Sequence, residues 1–161
     1  MKLQDWATKY HLTEEKTSPE EIAELLKLAD QKLEDCRILA NAGVSADHYH
    51  ASVYEASLPI AAAPLRAEGY RTPKASDGGH SLLFQALTLT ADKKSKYLSP
   101  LQEARKARNQ TTYTSVGSHK KSDVDKLLTT VLQFRTEIEN WLRKEHPELL
   151  PPAENKADEK K

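Results

Sequence analysis

SDVDKLLTTVLQFRTEIENWLRKEHP, residues 122–147, decides the fold. Its apolar residues Val124, Leu127, Leu128, Val131, Phe134, Ile138, Trp141 and Leu142 return every three or four positions, the period at which one face of a helix buries against a core. Ser122 supplies a capping oxygen at its start and His146-Pro147 closes it. The same period runs through most of the chain. Ser18-Pro19-Glu20-Glu21 combines a capping hydroxyl, a proline in the first turn and a capping-box glutamate. The helix it opens carries Ile22, Leu25, Leu26, Ala29, Leu33, Cys36 and Ala40 on one face until Asn41-Ala42-Gly43 ends it. Ser45 caps a second helix with Tyr49, Val53, Ala56, Ile60 and Ala63 on a stripe of largely small residues, and Pro59 and Pro64 predict a kink or break within it. Turn formers crowd residues 69–79, which read as an exposed loop. A short helix follows through His80, Leu83, Phe84 and Leu87, and Ser99-Pro100 opens another whose apolar side is thin: Leu98, Leu101, Ala104, then Arg108. No alternating strand pattern competes. The expectation is an all-α antiparallel bundle of about five helices over residues 18–146, with an N-terminal arm at 1–17 and a disordered charged tail at 147–161.

The chain has 161 residues, 38% hydrophobic and 30% charged, which suits one core. Cys36 stands alone, excluding an internal disulfide framework and a multi-cysteine zinc site, and its place on an apolar face reads as packing. No apolar run reaches the roughly 18–20 residues of a membrane span, and the first residues lack a signal-peptide core, so a soluble, cytoplasmic protein with no membrane partner is expected. Lys+Arg and Asp+Glu both number 24, which removes bulk charge as an argument for a nucleic-acid partner. That balance conceals a segregation. Residues 1–58 hold six basic against eleven acidic side chains, whereas residues 93–121 hold eight basic against one acidic. Lys93, Lys94, Lys96, Arg105, Lys106, Arg108, Lys120 and Lys121 make either a phosphate-contacting surface or a solvated face balancing the acidic first helix.

The densest polar run is Arg105-Lys106-Ala107-Arg108-Asn109-Gln110-Thr111-Thr112-Tyr113. Four-residue spacing puts Arg105, Asn109 and Tyr113 on one helix face, with Arg108 turned toward the thin apolar side. Structure alone accounts for some of this: Asn109 and the threonines end a helix by competing for backbone bonds, and Tyr113 plugs a core. His48 and His50, two apart, fall on different helix faces and make no paired metal site. His80 sits at a helix start, as a cap or an interface residue. No P-loop, Rossmann fingerprint, nucleophile elbow or zinc-ligand spacing is present, and neither cofactor nor metal is expected.

Taken together, the first helix ending at Gly43, the second with DHYHASVYEAS (47–57), the Gly69-Tyr70-Arg71 exit, the loop before His80 and Arg108-Asn109 late in the fourth helix resemble the HEPN superfamily, the higher eukaryote and prokaryote nucleotide-binding domains, over roughly residues 18–145. The resemblance implies a homodimer with one RNA-cleaving cleft, acting as the toxin or effector of a bacterial defence or toxin–antitoxin system beside a small nucleotidyltransferase antitoxin. In such domains an Arg, a polar residue and, a few residues on, a His form the ribonuclease motif. Arg108 and Asn109 match its first half, and Tyr113 stands where the shortest spacing would put the His, with His119 the next histidine. Histidine titrates near neutrality and suits metal-independent RNA cleavage, whereas a tyrosine with a reference pKa of about 10 positions or donates but is a poor base. The implied site is therefore Arg108 as phosphate clamp, Asn109 and Tyr113 orienting, and Arg105, Lys106, His119, Lys120 and Lys121 holding flanking phosphates. Two further readings stand beside it: a non-catalytic HEPN-like module that dimerises and binds a nucleotide or a protein, and an unrelated helical adaptor with Arg108 locked in an intrachain ion pair.

Overall fold

The structure is a computed structural model that describes residues 1–73, 79–113 (the side chains of 111–113 excepted), 117 and 119–151. The expected serine caps open its two central helices. Ser18 Oγ accepts the Glu21 backbone N–H at 3.2 Å and starts α2 (Pro19–Ala40); Ser45 Oγ accepts from His48 N at 3.2 Å and starts α3 (Ala46–Ala67). Between them Gly43 adopts φ +73°, a left-handed conformation open to glycine, which turns the chain back. Before these lie α1 (Leu3–Lys9) and strand β1 (Thr13–Glu14). After them come strand β2 (Tyr70–Arg71), α4 (Gly79–Ala86), α5 (Leu98–Tyr113) and α6 (Lys121–Glu145). Three-residue 3-10 turns follow α4 and α6. The protein is an all-α bundle of six helices among the described residues, with a two-stranded antiparallel ribbon as its only sheet there.

The core is built around α3, which packs against α2 and α6 along most of its length and against α4, α5 and β2 at its edges. Tyr49, Val53, Ala56, Ile60, Ala61, Ala63 and Leu65 of α3 are buried, facing Ile22, Ala29 and Cys36 of α2, Phe84 of α4, Leu101 of α5 and Val131, Phe134, Ile138 and Leu142 of α6 in one cluster. Burial pushes the Cys36 thiol up to about 11, so it packs as a neutral side chain. Two buried polar groups are tied to other parts of the chain. Tyr49 Oη donates to Asp125 Oδ1 at 2.8 Å, tying α3 to α6. Asp92 accepts from the backbone N–H groups of Lys96 (2.8 Å) and Tyr97 (2.7 Å), fixing the entry to α5.

Several expectations are corrected. Pro59 and Pro64 do not break α3: the helix runs unbroken through both, and each ring is buried in the core, where packing offsets the lost backbone bond. Lys120, not Ser122, is the cap residue of α6. The arm expected at 1–17 contains α1, because Trp6 and Ala7 are buried and Leu3, Tyr10 and Leu12 pack on the core. Pro147–Leu149, expected to belong to the disordered tail, form a 3-10 turn that buries Leu149; residues 152–161 lie outside the described residues. The loop expected at 69–79 starts as β2, which pairs Thr13 with Arg71 and Glu14 with Tyr70, and positions 74–78 lie outside the described residues. The capping-box glutamate is also redirected. The Glu21 carboxylate accepts from Arg71 (2.7 Å), Arg66 (3.3 Å) and Thr17 (3.1 Å), and Arg71 pairs as well with Glu15 at 2.8 Å, which clips the ribbon to α2 and α3.

Ala56 is fully buried on α3. Ala56→Leu overpacks that helix against its neighbours and is expected to lower unfolding free energy by roughly 1–3 kcal/mol, read from the urea midpoint.

Candidate nucleic-acid interface

Along α5 the inward positions read Leu101, Ala104, Arg108, the first two buried and the last half-buried. The helix therefore presents a guanidinium where the core would take a hydrophobe, and α3 answers it with Glu55, whose Oε1 lies 3.8 Å from Arg108 Nη2. Arg105, one turn earlier, is held from beneath. Its Nε donates to Gln102 Oε1 at 2.8 Å, while Gln102 Nε2 donates to the Ser81 carbonyl (3.2 Å) and to Ser81 Oγ (3.1 Å) in the first turn of α4. Next to Ser81, His80 Nδ1 lies 2.7 Å from the hydroxyl of the buried Tyr54 on α3. A polar seam thus runs where α3, α4 and α5 meet, with Arg105, Arg108, Tyr54, Glu55 and His80 in it.

The charges in the seam act on one another. Burial first, then the positive charges of Arg105 and Arg108, hold the His80 imidazole below its ordinary value and favour its neutral form. Burial pushes the Tyr54 hydroxyl up to about 12, against the pull of the same two arginines. At the far end His50 of α3 is buried, and its ring stacks on His119 with centroids 3.9 Å apart and planes 12° off parallel. Burial, then His119 and Arg108, bring His50 down to about 4. The connection from α5 to α6 is pinned to the start of α3 twice, by this stack and by Gly117 N donating to Asp47 Oδ2 at 2.7 Å.

Of the sequence-derived site residues, Arg105, Arg108 and His119 are brought against α3. Lys106 and Asn109 are exposed. Lys120 is exposed at the α6 cap, and Lys121 reaches Asp125 at 3.0 Å, the carboxylate that also holds Tyr49. The Tyr113 side chain lies outside the described residues. His50, Tyr54 and Glu55 were not among the expected site residues, and His80 was expected chiefly as a cap or interface residue. A signal existed for the α3 residues: His50 and Tyr54 are four apart, hence on one helix face, and Glu55 is one of only two carboxylates in that helix, the other being Asp47 in its first turn. Nothing local announced Ser81 or Gln102. Among the described residues no three His, Cys, Asp or Glu side chains stand together as metal ligands, and no helix is long and apolar enough to cross a membrane.

No family model, curated protein or solved structure matches this chain.

His50 gives a pH dependence. Its folded value is near 4 against about 6.5 when unfolded, so the neutral ring's contribution is complete above the unfolded value and is lost as pH falls from there through 4. His50→Gln is expected to shrink the loss of unfolding free energy between pH 7.5 and pH 4 by about 3 kcal/mol, measured by urea denaturation at both pH values. Equal acid-side losses in both proteins would contradict a neutral buried imidazole.

Proposed function

We propose that this protein is a HEPN-like RNA-directed domain that holds the RNA backbone on the α3–α4–α5 seam. The observation that carries the reading is the seam itself, in which Arg105 is tied through Gln102 to Ser81 beside exposed His80 and Arg108 lies against Glu55 next to Tyr54, with the His80 imidazole held low by burial first and then by the two arginine charges. Focused positive potential at an accessible spot suits a phosphate, and Arg forks bind phosphate with directional paired bonds. In this reading Arg108 clamps the phosphate and stabilises charge developing on phosphorus, Asn109 and Tyr113 orient it, and Arg105, Lys106, His119, Lys120 and Lys121 contact flanking phosphates. The protein acts in the cytoplasm as a homodimer whose two copies of Arg108 face one groove. It cleaves RNA without a metal, as the toxin or effector of a bacterial defence or toxin–antitoxin pair with a nucleotidyltransferase antitoxin.

One observation favours a second reading. Arg108 already has the Glu55 carboxylate beside it, and an arginine engaged within its own chain suits a helical adaptor unrelated to HEPN domains.

The test is incubation of labelled RNA with the purified protein in EDTA, with binding followed over a salt series. Wild type is expected to bind and to cut, and Arg108→Ala to bind about tenfold more weakly, with the slope of log K against log salt reduced by about 1 and cleavage abolished. Binding without cleavage selects the non-catalytic HEPN-like module, and absence of binding at low salt overturns the RNA reading.

A further inference from the structure

His80 is accessible on the first turn of α4, with the Nδ1 side of its ring committed to Tyr54. Tyr54 is buried and keeps its proton across the physiological range, and a phenol O–H facing a neutral imidazole nitrogen donates to it. In the tautomer with Nδ1 as acceptor the ring proton sits on Nε2, on the side away from Tyr54. The backbone under this ring is fixed relative to α5 by the Ser81–Gln102–Arg105 chain of hydrogen bonds. Arg108 stands one turn further along α5. His80, Arg105 and Arg108 are thus held at one meeting of α3, α4 and α5, by Tyr54, by the Ser81–Gln102 chain and by Glu55 in turn.

We propose that His80 Nε2, Arg105 and Arg108 form a phosphodiester site in which entry of the phosphate is coupled to protonation of His80. The proposal rests on the RNA-directed reading above and assigns that site a proton donor outside the Arg108–Tyr113 run. Tyr54 of α3 meets the His80 ring directly, Arg105 and Arg108 of α5 act on it through their charge, and Lys32 of α2, Glu55 and Arg66 of α3 and Arg71 of β2 line the same cavity as His80. Arg66 and Arg71 are paired with Glu21 and Glu15, so burial first and then the charges of Arg105 and Arg108 keep the ring neutral in the empty site. A phosphodiester anion against the two arginines reverses that balance, and the ring takes a proton from solvent at Nδ1. The Tyr54 hydroxyl then turns to accept, and Nε2–H becomes a charge-assisted donor to the phosphate. In cleavage the 2′-oxygen bonds to phosphorus as its proton leaves to solvent. The bond from phosphorus to the 5′-oxygen breaks, and that oxygen takes the Nε2 proton. The products are a 2′,3′-cyclic phosphate and a free 5′-hydroxyl, and His80 returns to its neutral form.

Calorimetric titration with a 2′-O-methyl RNA oligonucleotide, which binds but cannot be cut, tests this at pH 7 in two buffers of different ionisation enthalpy. The expected result is net proton uptake on binding to wild type and binding without uptake in His80→Gln. Side-chain nitrogen NMR of His80 in the wild-type chain reads the same proton directly, moving from the neutral to the cationic pattern when the oligonucleotide is added. Binding with no uptake, uptake that persists in His80→Gln, or unmoved His80 nitrogens each overturn the proposal and leave RNA binding standing. No binding to wild type overturns the RNA reading and this site with it.

Discussion

Helix α3 has neighbours along most of its surface, and the rest of the molecule depends on that enclosure. A helix buried so completely must be apolar almost all round, and its stripe of Ala56, Ser57, Ala61 and Ala63 lets α2 and α6 approach closely. Close approach supplies the dense contacts that make a core of this size stable. It also explains why two prolines survive in the middle of the helix: both rings are packed, and the unbroken axis is what the surrounding helices dock against.

The same enclosure creates the seam. Polar residues on such a helix must find partners or reach solvent, because an unpaired polar group in a low-dielectric interior costs about 1–3 kcal/mol. Tyr49 finds Asp125, and Tyr54 finds His80. Glu55, half exposed, faces Arg108. Each partner comes from a different element, so the polar positions of α3 dictate how α4, α5 and α6 sit around it. The arginines of α5 are consequently held near groups whose protonation they influence, and their charge is confined to an accessible edge of the bundle. A structural requirement of the core thereby yields a surface with a defined electrostatic character.

How much of this was legible differs by element. The helix starts at Ser18 and Ser45 and the apolar face of α6 were readable because capping chemistry and a 3.6-residue period are local properties of the chain. The turning of Arg108 toward a thin apolar side was readable for the same reason. The continuity of α3 through Pro59 and Pro64, the docking of Trp6 and the pairing of β1 with β2 were not, since each depends on burial supplied by distant residues. Glu21 shows the limit most clearly: its sequence position fits a capping box, yet Arg66 and Arg71, far along the chain, compete for its carboxylate and win. The seam was half legible. Arg105 and Arg108 advertised themselves as a cationic run, but their meeting with Tyr54 and His80 is tertiary and leaves no spacing to count.

The proposed RNA-directed reading depends on RNA binding at the α3–α4–α5 seam. Backbone amide NMR during titration with a short single-stranded RNA reads that contact residue by residue. The account predicts shifts concentrated on residues 50–55 of α3, the first turn of α4 and residues 102–110 of α5, with α2 and the outer face of α6 unmoved. Shifts centred on α2 or α6, or a spectrum that does not change, would contradict it.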